Sequence, residues 1–198
     1  MIFLKILTDN KVFKEELTIK KSKFITYIAK IKCKSELEEF IKISTDKNAT
    51  HNCYAFRYGD EKLTYGYNND GEPNGTAGEP LLKLIEINEL TNIIIFVKRY
   101  YGGIKLGTGG LQKAYSSVAI DLLKEVNLKK LEFLNLIEIE FKISDVKSIG
   151  LFLKNISKEI KYNYVDDKVF AKFKVDNIEK LEPIKNKINI IKKEQGYY

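Results

Sequence analysis

Apolar residues recur along this chain with two different periods, and those periods divide it into strands and helices. Residues 12–19 and 24–31 are rich in β-branched and aromatic side chains, which suit a pleated surface, and read as two strands. Ser35 and Glu38 fit a capping box, and Leu37, Phe40 and Ile41 follow at helical spacing. Residues 52–58 and 63–67 read as strands joined through Gly59, Asp60 and Glu61. A short helix runs through Leu81, Leu82 and Ile85. Its start is open between a Thr76–Glu79 capping box and Pro80 as first helical residue, because the two starts are incompatible. Residues 93–97 form an unbroken apolar run, the mark of a strand buried on both faces. Leu111, Ala114, Tyr115, Val118, Ala119, Leu122, Leu123 and Val126 then repeat as one helical stripe, which predicts a long helix lying on a sheet.

After Asn127 the pattern restarts. Ile137, Ile139, Phe141 and Ile143 alternate as a strand, and Val146, Ile149 and Leu153 fit a helix. Ile160, Tyr162 and Tyr164, then Val169, Ala171, Phe173 and Val175, make two strands around an Asp166-Asp167 turn. Ile178, Leu181 and Ile188 fit a second helix, and Ile190 with Ile191 a last short strand. The order β-α-β-β-α-β is the ferredoxin-like unit. The expected organisation is therefore two α/β (α+β) domains, residues 1–127 and 128–198, the second ferredoxin-like.

Composition narrows the setting. No stretch approaches the ~20 apolar residues that span a bilayer, so no membrane partner is expected. Residues 1–7 are apolar but short and contain Lys5, which does not make a secretory signal. Cys33 and Cys53 form no CxxC pair, which points to reduced thiols and the cytoplasm. The net charge of +7 is carried almost wholly by lysine and describes a solvated basic surface before it describes a partner.

Three polar segments carry the candidate chemistry. The first, HNCYAFR at residues 51–57, places His51, Cys53, Ala55 and Arg57 on one strand face. His51 is the only histidine, so there is no histidine pair for a metal site, and with no second histidine near Cys53 in sequence to serve as its base a papain-like thiol is not expected. The second, NNDGEPNGTAGEP at residues 68–80, is a long small-residue loop with an Asp70-Gly71 turn signal. Its candidates are Asp70, Gly71, Glu72, Gly75 and Thr76; the EF-hand spacing is absent, and no cofactor or metal is expected. The third, KRYYGGIKLGTGGLQKAY at residues 98–115, leaves the buried strand and enters the long helix. Backbone N–H groups at a helix start favour anions. Its candidates for anion or nucleic-acid binding are Arg99, Tyr100, Tyr101, Gly102, Gly103, Gly107, Thr108, Gly109 and Gly110, together with Arg57. Thr108 stands where a Walker A loop needs Lys, and Gln112 where a Rossmann fingerprint needs its third Gly. Arg57 and Arg99, the only arginines, both fall in these motifs and offer the planar fork that lysine lacks.

HNCYAFR, DGEPNGTAGEPLL and VKRYYGGIKLGTGGLQKAY, preceded by KKSKFI at residues 20–25, together resemble the signature of the YigZ/IMPACT family. That resemblance implies an N-terminal domain folded like the second domain of a small-subunit ribosomal protein and domain IV of elongation factor G. It also implies a ferredoxin-like C-terminal appendage, as in bacterial members. Eukaryotic relatives regulate translation through a starvation-responsive kinase pathway. The leading expectation is a non-enzymatic factor binding RNA or the ribosome, with Arg57 or Arg99 on phosphate and Tyr100 or Tyr101 stacked on a base. A small-molecule enzyme acting on an anionic substrate, with His51 or Asp70 moving protons, is the rival; a protein-interaction module is the third. His51, Asp70, Arg99 and residues 107–110 are expected to converge on one concave surface.

Overall fold

The computed structural model describes residues 4–198, and Met1 to Phe3 of the apolar N-terminal run lie outside it. The chain divides into two compact units, one ending at Leu131 and the other spanning Glu132–Tyr198.

The first unit is built on a five-stranded sheet. Its strands are β2 (Phe13–Ile19), β3 (Ser22–Lys30), β4 (His51–Tyr58), β5 (Thr64–Asn68) and β6 (Ile93–Tyr100), in the spatial order β2-β3-β6-β4-β5. Every neighbouring pair is antiparallel. The unbroken run in β6 is buried on both faces, as its composition requires. Ile93, Ile95 and Val97 join Phe24, Ile28, Cys53 and Ala55 beneath α2 (Gly78–Ile87) and α3 (Thr108–Glu125). Ile94 and Phe96 face the other way, with Leu37 and Phe40 of α1 (Lys34–Ser44) and the half-buried Tyr54 and Phe56. The stripe on α3 buries Leu111, Ala114, Tyr115, Val118, Ala119 and Leu122, so the helical period and the core side agree. A short strand β1 (Lys5–Leu7) pairs with β7 (Leu128–Lys130), and the first compact unit ends at Leu131.

Both expected helix starts of this unit differ. Cys33 is the N-cap of α1, no side chain caps it, and Glu36 rather than Glu38 reaches back, accepting from the Lys32 N–H at 2.7 Å. Ala77 is the N-cap of α2, so neither Thr76 nor Pro80 takes the position proposed for it. Pro80 is tolerated in the first turn because N–H groups there have no intrahelical acceptor to lose. The Gly78 N–H is satisfied from outside the helix, by Asn69 Oδ1 at 2.8 Å.

The second unit is a four-stranded antiparallel sheet of β8 (Phe133–Lys142), β9 (Ile160–Val165), β10 (Lys168–Val175) and β11 (Asn189–Tyr197), ordered β11-β8-β10-β9. That order, with α4 (Val146–Ile156) after the first strand, is the ferredoxin-like arrangement. Ile143 begins a 3-10 turn instead of continuing β8. The second expected helix is also 3-10, over Ile178–Lys187. Pro183 lies inside it, lacks the N–H that an α-helix would use there, and crowds the preceding turn. The last strand is far longer than Ile190 and Ile191, because β8 offers its whole edge to a segment of low apolar content.

Candidate functional site

A polar cluster, buried at Glu72 and Arg99 and exposed at Asp70, sits where the end of β6, the start of β4 and the 68–80 loop meet. Antiparallel pairing places His51 directly opposite Arg99. The loop returns across them through the Asp70-Gly71 turn, in which both residues adopt positive φ. Asp70 is fastened to β4 twice. Its Oδ2 accepts from the Asn52 N–H at 2.6 Å, and its carbonyl oxygen lies 2.6 Å from His51 Nδ1. A carbonyl only accepts, so His51 donates from Nδ1 and its Nε2 is left facing the Glu72 carboxylate at 3.8 Å.

Glu72 is the centre of the cluster and is buried. Its Oε1 accepts from Arg99 Nη1 at 2.6 Å and from the Tyr115 hydroxyl at 2.8 Å. Cys53 Sγ lies 3.5 Å from that hydroxyl and 3.0 Å from the Asn69 carbonyl oxygen, to which it donates. Burial pushes the Cys53 thiol up to about 12 and raises the Tyr115 phenol as well, so both stay protonated and act as donors, not as nucleophiles. The Arg99 guanidinium lies over the Phe24 ring at 5.6 Å and the Tyr101 ring at 5.4 Å, while its Nε has no acceptor among the described residues. Among the described residues no group of three or more His, Cys, Asp or Glu side chains is placed to hold a metal ion.

The sequence-derived candidates therefore separate. Of the residues expected to share one surface, His51, Asp70 and Arg99 lie together around Glu72, which was not in that group, and Tyr115 rather than residues 107–110 links α3 to them. Arg57 does not join them: it pairs with Ile93 at the other end of β4, roughly 20 Å from His51 at the usual strand rise. Arg99 is not an exposed phosphate fork, because its charge is already met by Glu72 inside the protein. Tyr100 is half-buried, and its hydroxyl donates to Asp46 Oδ2 at 2.7 Å; burial and that acidic neighbour push its phenol up to about 12. Thr76 is buried and closes a turn onto the Pro73 carbonyl, and Gly75 is exposed at positive φ.

The 101–110 segment is largely exposed and meets the cluster through Tyr101, whose ring lies against the Arg99 guanidinium. Tyr101, Gly103, Gly107, Thr108 and Gly109 are exposed, and Gly102 and Gly110 are partly so. Gly107 is the N-cap of α3 at φ 79 and supplies no side-chain cap. What ties α3 to the buried cluster is Tyr115, about two turns past Thr108, and not the glycine turn itself. Sequence reasoning placed Tyr115 only in the core stripe; its signal was a hydroxyl among aliphatic positions, which a buried site must satisfy. Asn69, which bonds both the start of α2 and Cys53, carried no separate signal.

An antiparallel α+β domain with a glycine-rich strand-to-helix loop, followed by a ferredoxin-like unit, is the class of protein these features define. Residues 20–123 match the model of the Impact N-terminal domain, and the chain belongs to this family. It is 39% identical over 123 residues to the IMPACT family member YvyE of Bacillus subtilis, covering 61% of this chain and 57% of that protein. It is 44% identical over 117 residues to an IMPACT family member of Haemophilus influenzae, covering 57% of this chain and 56% of the relative. The chain thus matches little more than half the length of these curated relatives. A crystal structure described only as that of a hypothetical protein aligns over 96% of this chain and 97% of its own, with a TM-score of 0.61 and 26% identity.

Proposed function

We propose that the protein is a cytoplasmic, translation-associated factor that binds RNA or the ribosome through the rim formed by Tyr101 and the start of α3. The observation that supports this reading is the exposed first turn of an 18-residue helix that no side chain caps. Its leading N–H groups have no intrahelical acceptor, and the aligned peptide dipoles make that end positive. Lys105 and Lys113 are exposed nearby in sequence. The translational role follows the family resemblance. Arg99 serves this surface indirectly, by holding the strand end and the 68–80 loop around Glu72.

Gly109→Asp tests the reading without threatening the fold. A Cβ at Gly109 meets no atom within 4 Å, and the backbone there is not left-handed. An acid in a first helical turn favours the helix but opposes phosphate. RNA affinity, followed by fluorescence anisotropy across salt concentrations, is expected to fall well below that of wild type and of Lys172→Ala, with no loss of thermal stability. Unchanged RNA affinity in Gly109→Asp removes the start of α3 from the function.

A small-molecule enzyme is the second reading, favoured by His51 Nε2 facing Glu72 at 3.8 Å on a ring that is one-fifth exposed. Turnover of an anionic metabolite that survives Gly109→Asp and is lost in His51→Asn would select it.

A further inference from the structure

The tip of the β2–β3 hairpin carries a feature that folding alone does not favour. Ile19 pairs with Ser22, so Lys20 and Lys21 form a two-residue connection. Their φ angles are 45° and 65°. Positive φ at both central residues defines the type I′ turn, whose preferred pair is Asn-Gly. Lysine has a Cβ that this conformation crowds, and here two lysines occupy it in succession. Strained backbone of this kind tends to persist where the side chains serve a function.

The tip is also locked to the 101–110 segment. A Cβ at Gly102 would lie 2.0 Å from the Lys21 carbonyl carbon, so only glycine permits this approach. The Gly102 N–H donates to Ser22 Oγ at 3.2 Å. Hairpin tip and glycine loop are therefore one continuous surface. Lys23, next along, is neutralised by Glu16 at 2.7 Å. Lys20 and Lys21 are exposed and have no ion-pair partner among the described residues. Beside them Tyr101 is 45% exposed, with the Arg99 guanidinium over its ring. That contact restrains the ring while leaving nearly half of the residue open.

We infer that this surface holds single-stranded RNA, with Lys20 and Lys21 on successive phosphates and an unpaired base stacked on Tyr101. The inference rests on the RNA-binding reading above and specifies its ligand. A duplex keeps its bases stacked inside and offers none to Tyr101, whereas an unpaired strand satisfies both the lysines and the ring.

The test uses the full chain, a labelled oligouridine of about 12 nucleotides, within the span of single-strand sites, and the corresponding oligoadenine–oligouridine duplex. The informative variant is Lys20→Asn with Lys21→Gly, which removes both charges while installing the residues the turn prefers. Thermal stability is expected to hold or rise. Affinity for oligouridine is expected to fall, and the slope of log K against log salt to shrink by about 1.4, the loss of two single-strand phosphate contacts. Tyr101→Ala is expected to lose roughly 5- to 150-fold, the range for a base–aromatic stack, and Tyr101→Phe to retain wild-type affinity. Wild-type protein that binds neither RNA overturns both the functional reading and this inference. Oligouridine binding with an unchanged salt slope in the Asn-Gly variant, or duplex binding as tight as single-strand binding, leaves the RNA reading standing and overturns this inference.

Discussion

Arg99 Nη1 and Glu72 Oε1 meet at 2.6 Å, with 7% of one side chain and 2% of the other exposed. The pair joins the end of a central strand to a loop that would otherwise have little apolar material to hold it. It carries a desolvation cost that only good geometry and further hydrogen bonds offset. Tyr115 supplies one such bond.

Removing one partner leaves the other charged and buried. Arg99→Ala is expected to destabilise the first unit by about 3–5 kcal/mol in urea unfolding. Tyr115→Phe removes one hydrogen bond to a charged group and is expected to cost about 1.5–3 kcal/mol. The two changes share Glu72, so a double-mutant cycle should show non-additivity. An Arg99→Ala protein as stable as wild type would mean that the pair does not organise the loop.

The glycines of the third motif are expected to behave differently from one another. Gly102→Ala forces a Cβ against the Lys21 backbone and should sharply lower stability or separate hairpin from loop. Gly107→Ala meets no atom but sits at φ 79, so conformational strain alone should destabilise it. Gly109→Ala meets neither obstacle and should be neutral or stabilising by up to about 1 kcal/mol, since alanine is the better helix former. Thermal melts of the three variants decide the order.

The two thiols should differ in reactivity. Cys33 is exposed at the start of α1, and the Ser35 hydroxyl 3.1 Å away holds its thiol below the usual range. Cys53 is buried and pushed up to about 12. Iodoacetamide at pH 8 is expected to label Cys33 alone in the folded protein and both residues in denaturant, read by mass spectrometry. Because the folded state holds the Cys53 proton more tightly, its contribution to stability is full below the unfolded thiol's pKa of about 8.5. That contribution is lost as pH rises towards about 12. Stability that did not fall over this alkaline range in wild type relative to Cys53→Ala would contradict the assignment.

Limited proteolysis should cut near the Leu131–Glu132 division and leave a protected N-terminal fragment. The pairing of β1 with β7 should keep residues 128–130 on that fragment. Cleavage scattered through the first unit would contradict two separately foldable units.

Local pattern determined much of this protein. The alternation in β4 fixed which residues face each core layer, the apolar run of β6 announced burial on both faces, and the stripe on α3 named its buried side. These are properties of period and composition, which neighbours in sequence already contain. Antiparallel order, the partner of each strand and the long β11 depended on distant segments. Lys192 and Lys193 become strand residues because β8 supplies hydrogen bonds, not because they favour it. The site shows the same division. His51, Asp70, Glu72 and Arg99 were legible as polar residues in the three motifs, two of them glycine-rich. That Arg99 is spent on Glu72, that Arg57 lies at the far end of its strand and that Tyr115 completes the cluster were decided only by tertiary structure. Whether a charge faces solvent or a counter-charge depends on which chain segment folds over it, and no local period records that.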